Sequence, residues 1–260
     1  MPKKFTEHID GGLLVLRLGA GVFLVATFGW QKFVSYVLLI HAGKSLATSG
    51  LAPLIHSMGF PAAGLLGVYA VLNESVGALL VGIGLWTRAA AFFAALSMTG
   101  ALFVSLRLGE EPLRAALYLT MFSALALTGA GRFSVEVKSG RHVDAGLLVL
   151  RVGMAISFVL LFSLKAAEGA DVFLYHPGRL WPLVLLCVGA AVVGVGFMTR
   201  LAAGAMTVSW LWVLYSELHL GKPFFSLPVR SVLFSGLFLT LCLTGAGRFS
   251  IDGVLRRKAT

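Results

Sequence analysis

The chain has 260 residues, of which 58% are hydrophobic and only 12% charged, and its mean hydropathy is +0.92. This excludes a soluble globular domain, which needs far more polar surface, and points to an integral membrane protein embedded in the lipid bilayer. The formal charge of +10 does not mark a nucleic-acid binder, because the Lys and Arg residues stand singly between apolar runs rather than in one basic stripe.

The N-terminal MPKKFTEHID is basic, but the apolar run after it contains Arg17 and Lys32 and has no small-x-small cleavage site. It reads as an uncleaved first helix. Gly, Pro and charge punctuation then divides the chain into eight apolar segments: 11–33, 62–86, 88–107, 113–130, 145–165, 180–198, 200–219 and 229–246. Each is about 20 residues long, the length a hydrocarbon core demands of a helix. Their continuous apolar character, without alternation, excludes a lipid-facing barrel. The expected fold is all-α: a polytopic membrane protein with eight transmembrane helices.

The segments repeat. LTGAGRF (127–133) returns at 243–249, GLLVLRLG (12–19) as GLLVLRVG (146–153), LWTRAAA (85–91) as FMTRLAA (197–203), and PLRAAL (112–117) as PVRSVL (228–233). The offsets are 134 at Arg17/Arg151, 112 at Thr87/Thr199 and 116 at Arg132/Arg248. The second half has therefore lost 22 residues between its first two helices and gained four between its last two. Four helices per half is an even number, so the two bundles, 1–140 and 141–260, are expected to be parallel rather than inverted. LTGAGRF lacks the strand-turn-helix setting of a dinucleotide loop. It reads as a helix ending, with Gly129 or Gly131 left-handed, Arg132 at the headgroups and Phe133 in the interface. On the side of the termini 13 Lys and Arg accumulate, against 8 on the other. Both termini are therefore expected in the cytoplasm, in the inner membrane of a bacterial or archaeal cell.

LLVLRLGAGVFLVATFGWQKF (13–33), SMGFPAAG (57–64), YAVLNESVGALLVGIGLWTR (69–88) and LTGAGRF (127–133) together resemble the DoxX family. These are four-helix membrane proteins that include the small subunit of thiosulfate:quinone oxidoreductase. The resemblance covers most of residues 11–135 and implies a tandem duplication of one unit, a quinone as cofactor and a role as an oxidoreductase subunit. The second half departs from the pattern, since Asn73, Glu74 and Ser75 fall on Leu185, Leu186 and Cys187. A family site is therefore expected in the first half.

Glu74 lies near the middle of its span, where an ionised carboxylate costs at least a few kcal/mol unless paired or protonated. It is either a proton-handling or quinone-contacting acid or a carboxyl that ties helices together. Its candidate partner is Arg17; alternatively Arg17 and its copy Arg151 snorkel to the interface. Asn73 and Tyr69 stand beside Glu74 as ligand contacts or packing groups. Trp30, Gln31 and Lys32 are placed at the outer end of the first helix, as an interfacial anchor or a contact to a headgroup or anionic substrate. The polar loop 41–61 adds His41, Lys44 and His56, the last either a quinone-bonding proton shuttle or a surface histidine.

No two histidines face each other at mid-depth, so no haem site is expected, and there is no flavin or iron–sulfur motif. Cys187 and Cys242 form neither a disulfide framework nor a zinc site. Three functions compete. The first is a quinone-linked oxidoreductase subunit whose electron donor resides in other membrane or periplasmic subunits. The second is a non-catalytic scaffold in a larger membrane complex. The third is a transporter, disfavoured because the acid occurs in one half alone and no span is broken by a mid-helix Pro.

Overall fold

Within lipid an apolar segment must satisfy its own backbone N–H and C=O groups, which directs it into a helix. The computed structural model describes residues 3–110, 112–136, 142–168, 180–221 and 228–258, and the regular structure among them is entirely helical. Helix α1 runs unbroken from Lys3 to His41, with π turns at Leu18–Val22 and Val25–Gly29. The short α2 (Ala52–Ser57) precedes α3, which spans Ala63–Ile83 through a third π turn at Asn73–Gly77. Then follow α4 (Thr87–Leu108), α5 (Leu113–Thr128), α6 (Val143–Glu168), α7 (Leu180–Val195), α8 (Thr199–His219), α9 (Pro228–Thr244) and α10 (Ile251–Lys258).

Among the described residues, five stretches are long and apolar enough to cross a membrane: His8–His41, Ala63–Ile83, Thr87–Leu108, Val143–Leu160 and Thr199–His219. Leu113–Thr128, Leu186–Val195 and Val229–Thr244 are shorter apolar helices. The molecule is thus an all-helical polytopic membrane protein. Seven of the eight expected segments begin and end within three residues of an observed helix. The first does not: α1 continues past residue 33 to His41. Lys32, taken as the end of the span, lies inside the helix because its charge is neutralised there.

The helix endings repeat at the same offsets as the letters. Gly84 and Trp86 have φ of 80° and 49° ahead of α4, and Gly196 and Met198 have 83° and 44° ahead of α8. All four glycines of the two LTGAGRF copies, Gly129, Gly131, Gly245 and Gly247, have positive φ. The loop thus formed folds back over α1, where the Arg132 amide donates to Asp10 at 2.9 Å; its copy, the Arg248 amide, donates to Asp144 at 2.8 Å. Arg17 donates to the Phe133 carbonyl and Arg151 to the Phe249 carbonyl. The ion pair of Glu74 is with Lys32, while Arg17 is 1% exposed and bonds the Phe133 carbonyl. Its long side chain turns inward because Gly84 leaves the space: a Cβ on Gly84 would collide with the guanidinium.

The halves pack crosswise. Gly12 of α1 lies against Thr244 and the Thr240 carbonyl of α9, while Gly146 of α6 lies against Thr128 and the Ala124 carbonyl of α5. One contact becomes the other under the offsets 134 and 116. Such reciprocity is the signature of an isologous interface. A single apolar core, including Leu117, Phe122, Leu150, Phe234 and Phe238, runs through both halves.

Candidate functional site

Glycine sets the distance between α1 and α3. A Cβ on Gly29 would run into the Glu74 carbonyl, and one on Gly21 would lie 2.5 Å from the backbone of Ala78 and Gly82. The two helices therefore touch backbone to backbone at both places, as small residues permit in lipid. Both contacts involve π turns, the wide turns that recur at functional sites. One turn beyond Gly29, Lys32 Nζ lies 2.5 Å from Glu74 Oε2. Glu74 is 5% exposed, and the Lys32 side chain 38%. The mid-span acid has a partner, and that partner is Lys32.

The pair borders a cavity of about 550 Å³. Leu24, Phe28, Met98, Ala101 and Ala115 form its apolar walls, while Lys32, Glu74, Ser105, Glu110, Arg114 and Tyr118 supply polar groups. Arg114 lies with its guanidinium carbon 5.6 Å from the centre of the Phe28 ring, an arrangement that holds a cation over an aromatic face. Tyr118 is 2% exposed, and its hydroxyl, beside Thr27, meets no partner of hydrogen-bond geometry. The hydroxyl is closed off from the open part of the cavity, and a buried hydroxyl without a partner costs about 1–3 kcal/mol. Two cations and two carboxylates balance in the lining, which suits an uncharged ligand with polar ends. The cavity is an open cleft whose volume falls within the range of small-molecule sites.

Of the residues singled out in the sequence, the cavity brings together Lys32 and Glu74. The Asn73 amide donates to the Tyr69 carbonyl within α3, and the Tyr69 hydroxyl donates to the Phe93 carbonyl of α4. Trp30 is exposed and stacks on Phe33, Gln31 is exposed beside it, and His56 is exposed on α2. None of these, nor Arg17, lines the cavity. His41 and Lys44 are likewise exposed beyond the end of α1. Among the described residues no three His, Cys, Asp or Glu side chains cluster to hold a metal ion, and Cys187 and Cys242 are free thiols.

Sequence reasoning passed over Tyr118, Arg114 and Glu110. The signal for Tyr118 stood one letter beyond the repeat as quoted: PLRAALY (112–118) ends in Tyr where PVRSVLF (228–234) ends in Phe. The mismatch is wider than one residue. At the repeat offsets Leu24, Met98 and Tyr118 fall on Phe158, Trp210 and Phe234. These three aromatics pack together, with ring centres 4.5 Å apart for Trp210 and Phe234, 4.8 Å for Phe158 and Phe234, and 6.0 Å for Phe158 and Trp210.

Residues 12–106, which carry most of this cavity's lining, match the DoxX family. The chain is also similar to the inner membrane protein YqjF of Escherichia coli, with 32% identity over 131 residues that cover 95% of that protein and 44% of this one. No solved structure matches. With its long apolar helices, the protein is a multi-pass inner-membrane protein. It belongs to the DoxX family.

Proposed function

We propose that the chain is the membrane subunit of a quinone-linked oxidoreductase or electron-transfer complex, with its quinone and proton site in the cavity of the first half. In this reading eight helices cross the membrane as two fused, parallel four-helix units, 1–140 and 141–260. The first carries the site and the second completes the scaffold. The observation that supports it most is the ion pair of Glu74 and Lys32 in mid-span at the wall of a cavity large enough for a ring headgroup.

The lining suits that headgroup. Lys32 is a hydrogen-bond donor for an oxygen of a neutral ring, and Phe28 and Ala101 supply apolar contact. A bound quinone would supply two-electron, two-proton redox chemistry. Glu74 holds Lys32 in position and accepts or returns a proton beside it. The sequence carries no flavin, haem or iron–sulfur motif, so the substrate-oxidising group belongs to a partner subunit.

The aromatic packing at the second half's equivalent positions favours a second reading, a scaffold subunit without a redox role of its own. Purification in mild detergent followed by solvent extraction separates the two. The first reading expects stoichiometric quinone in the wild type and its loss in Glu74→Gln. Quinone-free protein that always accompanies a larger assembly would contradict it and leave the scaffold.

A further inference from the structure

Where α4 meets α5 the cleft is open, and there the two halves differ by a carboxylate. The offset of 112 holds to the ends of α4 and α8, where Gly109 and Gly221 have φ of 66° and 69°, and it sets Ser105 on Glu217. The offset of 116 sets Arg114 on Arg230 and Ala115 on Ser231. In the second half Glu217 reaches from α8 to α9, where its carboxylate accepts a hydrogen bond from the Ser231 hydroxyl at 2.8 Å, and the adjacent Arg230 is buried. In the first half Ser105 and Ala115 cannot form that bridge, and both line the cleft together with Arg114. Ser105 and Arg114 are half-buried, unlike Leu24, Met98 and Tyr118, which belong to the packed core. Among the described residues no side chain, Glu110 included, forms a hydrogen bond or ion pair with Arg114 or the Ser105 hydroxyl. The arginine is kept, and the carboxylate bonded to its neighbour is gone.

We propose that Arg114 and Ser105 bind an acceptor oxygen of the ligand in the place that the Glu217 carboxylate takes in the second half, so that the ligand is a neutral molecule with carbonyl oxygens at two ends, one toward Arg114 and one toward Lys32. Lys32 already has its carboxylate in Glu74, whereas the Arg114 guanidinium has donors to spare. Hydrogen bonds from an ionised donor are the stronger kind, and a guanidinium can give two in parallel. The balanced charge of the lining selects a carbonyl oxygen over a second carboxylate. Ser105 is then the residue that keeps this end of the cleft open, because the glutamate at its equivalent position closes the gap between α8 and α9. The proposal rests on reading the cleft as a quinone site and adds the second anchor of the ring.

The test uses the full chain in lipid nanodiscs and equilibrium dialysis with two probes. One is menadione, a quinone without a tail; the other is 1,4-diacetylbenzene, a neutral ring with two carbonyl oxygens that cannot act as a quinone. The double variant Ser105→Glu with Ala115→Ser rebuilds the bridge of the second half, and is expected to abolish binding of both probes while the melting temperature does not fall. Arg114→Gln removes the charged donor and is expected to weaken binding about tenfold or more, the order of one hydrogen bond from a charged group. Arg107→Gln is the control: its guanidinium carbon lies 5.3 Å from the centre of the Phe103 ring, much as Arg114 lies over Phe28, but it does not line the cleft. It is expected to bind both probes as wild type.

Binding of 1,4-diacetylbenzene but not menadione, weakened in Arg114→Gln, would support the two-ended site and defeat the quinone reading. Menadione bound equally by wild type and Arg114→Gln would overturn the Arg114 anchor and leave the quinone reading to Lys32 and Glu74, whether or not the double variant folds. Equal weakening by Arg107→Gln and Arg114→Gln would also overturn the anchor, since net charge rather than position would then set the affinity. Failure of the wild type to bind either probe would overturn both readings.

Discussion

Glu74 is the twelfth residue of the 21-residue span Ala63–Ile83, a depth at which a lone carboxylate is costly. Lys32 removes that cost by forming an ion pair at 2.5 Å. Breaking a buried pair from one side leaves a bare charge, whereas removing both partners does not. Glu74→Gln and Lys32→Met are therefore each expected to destabilise the protein by about 1–3 kcal/mol, somewhat below the range for fully buried pairs because the Lys32 side chain is 38% exposed. The double variant is expected to recover most of this loss, and thermal melts of the four proteins in one detergent measure it as a double-mutant cycle. Additive losses would show that the pair is not coupled. Both residues were legible in the sequence as charges in apolar surroundings. Their pairing was not, because it depends on the depth of Lys32. The partner of Arg17 is a backbone carbonyl, that of Phe133, which no pattern of side chains spells out.

Helices rather than loops position the site. Apolar run length located seven of the eight expected segments to within three residues. It failed at α1 because a charge inside a span looks the same in sequence as a charge that ends one. The contact that makes the difference is Gly29, where α1 meets the backbone of Glu74. Gly29→Leu is expected to force α1 away from α3 and lower stability by about 1–3 kcal/mol, the usual cost of overpacking. Ala26→Leu, on an exposed face of the same helix, is expected to melt within experimental error of wild type. If both variants melt alike, the close approach does not govern the site. Which backbone each glycine meets is a property of the assembled helices.

At the scale of the whole molecule, likeness and unlikeness between the halves carry different information. The likeness is structural: left-handed residues at Trp86 and Met198, carbonyls of Phe133 and Phe249 receiving Arg17 and Arg151, and Gly12 on α9 answered by Gly146 on α5. A relative, YqjF, is covered over 95% of its length by 44% of this chain, the size of one half. These are the features expected of the proposed pair of fused units. The unlikeness lies around the cavity. Where the first half has Leu24, Glu74, Met98 and Tyr118 around a cavity, the second has Phe158, Leu186, Trp210 and Phe234. The loss of Glu74 from the second half was legible at the offset of 112. The aromatic filling was not, because residues 24, 98 and 118 become neighbours only when α1, α4 and α5 assemble.

The proposed function requires that a quinone bind in the first half and not in the second. Photolabelling with an azido-quinone, followed by proteolysis and mass spectrometry, tests it most directly. Adducts are expected on peptides containing Phe28, Lys32 or Glu74, with competition by unlabelled quinone and loss in Glu74→Gln. Adducts on peptides containing Trp210 and Phe234, or spread equally over the two halves, would contradict it.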